Sequence, residues 1–194
     1  IQALWNHVTD TRLCTVLDNK MGATVSTVEH VLSALAALGV DNAIIDIDGP
    51  EVPIMDGSAK AFVEAIDHVG VAKLKNPRRV LRIKKVVSYQ EGDKEVFLSP
   101  ADTAHFSFEI AFDNALIGRQ KYSHRLTEQN YRADIADART FGFLHEVEQL
   151  RKIGLARGGS LENAVVIDGD KVMNPEGLRH KNEFVRHKVL DAIG

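Results

Sequence analysis

The sequence predicts an α+β fold of two similar two-layer α/β sandwich domains, each laying helices against a sheet. Three observations predict it. Apolar residues recur with helical period over 28–38 and again over 183–194; Phe106, Phe108, Ile110 and Phe112 alternate strictly, as on one buried sheet face; and the polar, proline-bearing stretch Lys75-Asn76-Pro77-Arg78 separates helical from strand periodicity. The boundary drawn there gives a first domain over 1–76 and a second over 77–194.

In chain order, residues 12–17 read as a short strand, followed by turn-forming Asp18-Asn19 and Gly22. Ser26-Thr27-Val28-Glu29 has the form of a capping box, and the helix it opens carries Val28, Val31, Leu32, Leu35 and Leu38 at helical spacing until Gly39. Residues 42–47 are strand-like, Gly49-Pro50 and Pro53 break the chain, and 59–68 is a second helical pattern. In the second domain, 80–89 and 95–98 flank Glu91-Gly92-Asp93-Lys94 as a hairpin, and the strand through Phe106 follows. Helices are expected at 128–136 and 144–153, then a loop at 154–160, a hairpin over 164–173 turning at Asp168-Gly169-Asp170, and the closing helix. No residue-level repeat relates the two halves.

Composition limits the function classes. With 194 residues, 44% hydrophobic, 26% charged and five prolines, the chain can bury a core without crosslinks and is neither fibrous nor disordered. A formal charge of -3 gives no overall attraction to nucleic acid or an anionic membrane, and no apolar run approaches a transmembrane length. Cys14 is the sole cysteine, which fits a reducing cytoplasm and excludes a disulfide framework. Ile1 is not a start methionine, and no packing partner or tail follows the final helix, so the chain reads as a fragment.

The chemistry-bearing candidates lie on two helices. His187 and Asp191, four residues apart, share one face of the last helix, while Val185, Val189 and Ala192 form its packing stripe. A solvated ion pair is the ordinary reading of such spacing. On the helix through 28–38, however, the positions turned from the apolar stripe are Ser33, Ala34 and Ala37, so this helix is expected to be covered on both sides. Glu29 and His30 then fall in a cleft or interface, where an unpaired carboxylate costs free energy and a metal or partner group is expected. Glu29 as a capping acid and His30 as a hydrogen-bonded core histidine remain the competing roles. Were His30, His187 and Asp191 to meet around one ion, two imidazoles and a carboxylate would leave a fourth tetrahedral position open, as in hydrolytic rather than structural zinc centres, with Glu29 adjacent as general base.

Four motifs carry a resemblance to a known family: residues 26–30 (Ser-Thr-Val-Glu-His), 53–59 (Pro-Ile-Met-Asp-Gly-Ser-Ala), 138–143 (Ala-Arg-Thr-Phe-Gly-Phe) and 184–194 (Phe-Val-Arg-His-Lys-Val-Leu-Asp-Ala-Ile-Gly). In this order they resemble the zinc-dependent UDP-3-O-acyl-N-acetylglucosamine deacetylases of lipid A biosynthesis, over essentially the whole chain. The resemblance implies a cytoplasmic Gram-negative enzyme, expected to be monomeric, that releases acetate from the glucosamine nitrogen of its UDP-linked, 3-O-acylated substrate. It makes His30, His187 and Asp191 ligands of Zn2+, Glu29 the general base, and Thr140 a stabiliser of the oxyanion, with the site between the facing helices. It gives substrate contacts to Lys188, near the diphosphate, and to Phe141, Leu13, Cys14, Gly159, Leu161 and Phe112. An insert near 147–172 would form the acyl passage, Gly159 allowing close backbone approach and Leu161 supplying apolar surface. Phe112 matches a phenylalanine that stacks on uracil, although Asn114-Ala115 stands where the family has His-Pro.

The family also has an aspartate directly after its Ile-Gly pair, a later Gly-His motif whose histidine assists the leaving amine, and strands before the position of Ile1; none lies within these residues. Truncation at both ends keeps two alternatives in view: a catalytically incomplete metal- or ligand-binding fragment or paralogue, and a zinc amidase acting on another substrate.

Overall fold

Why the chain turns where it does is clearest at its start, where side chains compete with strand ladders for backbone groups. The computed structural model describes residues 1–152 and 158–194. Strand β1 (Val8–Asp10) pairs antiparallel with β2 (Val16–Asp18), and β2 with β3 (Thr24–Val25). The expected strand over 12–17 shrinks to β2. Asp10 takes the Arg12 amide (2.9 Å) and its guanidinium (2.7 Å), and Leu13 adopts a φ of +74°, which together curl the chain before extension resumes.

The first helix, α1 (Glu29–Ala37), begins without the predicted capping box: Val28 is its N-cap and no side chain caps it. Ser26 is engaged elsewhere, its amide (2.9 Å) and hydroxyl (3.2 Å) both donating to the Pro50 carbonyl in a parallel bridge with Glu51. The expected strand over 42–47 does not form; Ile44 is 93% exposed, since an apolar run without a strand partner gains nothing from extension. Helix α2 (Lys60–Val69) follows as expected.

Strand β4 (Val87–Glu91), shorter than the predicted 80–89, turns through Gly92–Asp93 into β5 (Lys94–Leu98). Strand β6 (His105–Ala111) pairs in full register with β7 (Arg119–Arg125), which the sequence reading missed. The inward positions of β7 are Gln120, Tyr122 and His124, too polar to signal a core face. Helix α3 (Glu128–Asp134) is capped by the Thr127 side chain, which accepts from the Asn130 amide (3.1 Å). Strand β8 (Phe141–Phe143), also unforeseen, runs parallel to β9 (Val165–Asp168), which turns through Gly169–Asp170 into β10 (Lys171–Val172). Between them lies α4 (Leu144–Lys152); the predicted end of this helix at Ile153 and the first part of the 154–160 loop lie outside the described residues.

The closing helix, α5 (Glu183–Ile193), supplies the centre of the fold. Val189 and Leu190 join Ala34 and Ala37 of α1, Leu38 just after it, Val63 of α2, and Tyr131, Ile135 and Ala136 in one apolar cluster, while Phe184 and Val185 join Ile110, Ile117, Val165 and Ile167 in a second. Val28 and Val31 pack on Leu17 and Val52 on the other flank of α1, so α1 is covered on both sides, as its small residues implied. On α5 the expected stripe is only partly kept: Val185 and Val189 are buried but Ala192 is exposed, and His187 is buried as well. Where the two helices meet, a Cβ on Gly194 would stand 2.0 Å from the Glu29 carbonyl oxygen and 2.9 Å from the Ser33 amide nitrogen; only glycine permits that approach.

Candidate metal centre

Because α1 and α5 pack directly, the first turn of one faces the last two turns of the other. His30, His187 and Asp191 each contribute one ligand-capable atom to a cluster in which all three lie within 4.8 Å of one another. His187 Nε2 is 3.3 Å from Asp191 Oδ1, and His30 Nε2 is 3.7 Å from the same oxygen. The two rings meet edge to face with centroids 5.0 Å apart. His187 Nδ1 donates to the Ala138 carbonyl (3.0 Å), so the hydrogen is on Nδ1 and the lone pair on Nε2, turned toward Asp191.

Electrostatics make this convergence unusual. Burial lowers the pKa of both imidazoles, that of His30 to about 4, so both are neutral at pH 7. Burial pushes the Asp191 carboxyl up, but His187, Lys188 and His30 outweigh it and hold the acid below its usual range. Two neutral imidazoles and a carboxylate thus face one another, His30 through Nε2, with the buried Asp191 Oδ1 lacking any hydrogen-bond partner. A cation among them satisfies what is otherwise a costly set of unpaired groups, and the donor set of two imidazoles and a carboxylate suits a divalent transition metal.

Glu29 precedes His30 at the start of α1. Its Oε2 accepts from the Thr15 amide (3.0 Å), and burial raises its pKa, with the Asp191 charge adding to the rise. The bond to Thr15 ties the segment after Leu13 and Cys14 to the start of α1; Leu13 is 72% exposed and Cys14 half-buried. Thr140 enters β8 with its amide donating to Gly57 (2.7 Å) and its carbonyl accepting from Val165 (2.8 Å). Lys188 binds Asp191 Oδ2 (3.0 Å), and its ammonium stands 5.4 Å from the Phe141 ring centre. Phe141 in turn packs edge-on against Phe184 (4.9 Å) and Phe112 (5.7 Å), which links Phe112 to the same aromatic group. The Asn114 side chain accepts from the Leu116 and Ile117 amides and donates to Gly169, closing the turn after β6.

Gly159 and Leu161 sit in a loop held by Asn163, which donates to Gly158 (2.8 Å), and by Asn174, which donates to Leu161 (2.9 Å). That loop abuts Gly57, whose carbonyl takes the Thr140 amide. At φ +84°, a Cβ there would lie 2.1 Å from the Asn163 carbonyl oxygen. Gly57, Ala138 and Arg139 lie within the motifs of the sequence analysis but received no role there, and neither did Glu183. Arg139 is 1% and Glu183 0% exposed, and they form a buried ion pair (2.9 Å) beside Thr140. Glu183 does stand four residues before His187, but that spacing alone resembles any helix-surface acid.

Comparison with known proteins bears on the chain as a whole. The family model for UDP-3-O-acyl N-acetylglycosamine deacetylase matches residues 1–194. A UDP-3-O-acyl-N-acetylglucosamine deacetylase of Phenylobacterium zucineum is 55% identical over 187 residues, covering 96% of this chain and 64% of the relative. One from Sulfurimonas denitrificans is 53% identical over 188 residues, covering 97% and 64%, and one from Syntrophus aciditrophicus is 48% identical over 194 residues, covering 100% and 61%. The chain thus spans just under two thirds of the length of the curated relatives it matches. Among the described residues no helix is long and apolar enough to cross a membrane. Matched over its whole length and related at about half identity to several such enzymes, the chain belongs to the UDP-3-O-acyl N-acetylglycosamine deacetylase family.

Proposed function

We propose that this chain carries the zinc-dependent hydrolysis of the N-acetyl group of UDP-3-O-acyl-N-acetylglucosamine, releasing acetate, as a cytoplasmic step of lipid A biosynthesis. The observation that carries the reading is the convergence of His30, His187 and Asp191 within 4.8 Å, with Asp191 Oδ1 buried and unpartnered. His30, His187 and Asp191 would hold the ion, the Nε2 atoms of His187 and His30 standing 3.3 Å and 3.7 Å from Asp191 Oδ1. Zinc supplies Lewis acidity, polarising a carbonyl and acidifying a water.

The chain's own residues do the rest. Glu29, oriented by the Thr15 amide, accepts the proton of the attacking water at its carboxylate. Its pKa, raised by burial and by the Asp191 charge, makes it a stronger base than an exposed glutamate. Thr140, fixed by its two backbone hydrogen bonds, offers a hydroxyl donor where negative charge develops on the acetamide oxygen. Lys188 brings a positive charge beside Asp191 and Phe141 for the nucleotide diphosphate. Phe112, Leu13, Cys14, Gly159 and Leu161 complete the surface offered to uracil, sugar and acyl chain, across domains meeting near residues 76 and 77.

The test is acetate release from the UDP-linked, 3-O-acylated substrate by the metal-loaded protein. Turnover abolished by a chelator, restored by zinc and dependent on both the UDP group and the acyl chain is expected. Substoichiometric metal in a fully folded preparation supplied with zinc would overturn the reading.

A further inference from the structure

We infer that Arg139 and Glu183 are a positioning pair that fixes the His187 imidazole for its metal. The inference rests on the metal-centre reading and adds to it two residues with no assigned role.

The pair closes a ring with His187. Arg139 directs its backbone amide (3.0 Å) and Nε (2.9 Å) to Glu183 Oε1, and Nη2 reaches Oε2 (3.3 Å) and the Gly177 carbonyl (2.7 Å). Its Nη1 donates to Glu176, while Glu183 Oε2 also takes the Arg179 amide (2.7 Å). From Arg139 the chain steps back one residue to Ala138, whose carbonyl receives the His187 Nδ1 hydrogen (3.0 Å). From His187 it steps back one turn of α5 to Glu183. The carbonyl that orients the ring and the helix that carries it are therefore tied together at a second point.

Stability alone does not account for the pair. Two opposite charges buried this completely are often replaced by apolar residues without loss, because their desolvation offsets their attraction. What an apolar pair cannot reproduce is the fork geometry that binds the Arg139 amide and side chain to one carboxylate, and so holds the Ala138 carbonyl in line with Nδ1. That alignment keeps hydrogen on Nδ1 and the Nε2 lone pair free for a metal. Partners of this outer kind typically alter metal affinity about 10- to 100-fold.

The experiment follows two readouts besides turnover: zinc affinity by chelator competition, and the His187 tautomer in the metal-free protein by long-range 1H–15N NMR. Wild type is expected to bind one zinc and to show hydrogen on Nδ1. Arg139→Lys, Glu183→Gln, and the double replacement Arg139→Met with Glu183→Leu, which leaves no buried charge unpaired, are each expected to bind zinc about 10- to 100-fold more weakly with a mixed tautomer. A wild-type ring carrying hydrogen on Nε2, or a folded double variant with unchanged affinity and tautomer, would overturn this inference alone. Absence of zinc binding by wild type would overturn the metal-centre reading and this inference with it.

Discussion

His187 Nε2 stands 3.3 Å from Oδ1 of Asp191, and with the His187 hydrogen committed to Ala138 no proton lies between the two atoms. In the metal-free protein this contact sets a nitrogen lone pair against a carboxylate. Loading the site with zinc should therefore stabilise the fold, by about 2.7 kcal/mol at free metal 100 times Kd, which is roughly 5–10 °C in Tm for a chain of this size. Thermal melts with and without a chelator measure it, and His187→Ala should erase the difference.

Replacing the base separates binding from chemistry. Glu29→Gln should retain one zinc per chain and slow acetate release by about 10²–10⁴-fold. Because burial raises the Glu29 pKa, activity limited by that carboxylate rises with pH through a point above its ordinary 4.5. Metal analysis alongside kcat against pH distinguishes this from a variant that has merely lost its metal.

Acid should unfold the metal-free protein over a defined window. Below pH 6.5 the unfolded chain protonates His30, whereas the folded protein resists until about pH 4, so stability falls as pH drops between those values. The loss from this residue is on the order of 3 kcal/mol, and His187, whose pKa is likewise lowered, adds to it. Asp191, held below its usual pKa in the fold, contributes stability that is lost at still lower pH. Urea midpoints measured from pH 7 to pH 4 should decline; a flat profile would contradict the buried, neutral imidazoles.

Beneath the ligand helices, Ser33 Oγ and the Tyr131 hydroxyl form a fully buried hydrogen bond of 2.8 Å. Tyr131→Phe strands the serine and should cost about 1–3 kcal/mol, while adding Ser33→Ala should recover much of the loss. Denaturant titration of the two singles and the double gives the coupling.

Gly57→Ala meets both a left-handed backbone and the Asn163 carbonyl 2.1 Å away. We expect a loss of about 2–4 kcal/mol, and slower turnover in whatever remains folded, because the Thr140 amide hangs on the Gly57 carbonyl. Equilibrium unfolding and kcat at saturating metal report the two effects separately.

Legibility followed the range of the physics. Helices α1, α2, α3 and α5 and the turns at Gly92–Asp93 and Gly169–Asp170 carry their signals within a few residues, and they stand close to where the sequence put them. Strand β8 was not foreseen because three residues pairing in parallel across more than twenty others leave no local mark, and β7 because its inward His124 and Gln120 are polar. The stretch 42–47 misled for the opposite reason, being apolar but unpaired. At the site, the spacing of His187 and Asp191 was readable from one helix, but their meeting with His30 depends on how α1 crosses α5, which periodicity does not encode. The capping role offered for Glu29 failed on a distant event, the capture of Ser26 by Pro50.

The missing methylene at Gly194 has a consequence for how the protein tolerates change. Main chain touches main chain there, at Glu29 and Ser33, so the gauge between the two helices is set by atoms common to every amino acid. Drift among the surrounding Val, Leu and Ala side chains can alter how firmly the helices hold together without resetting the distance from His30 to His187. Ligand spacing is thereby insulated from ordinary variation in the core.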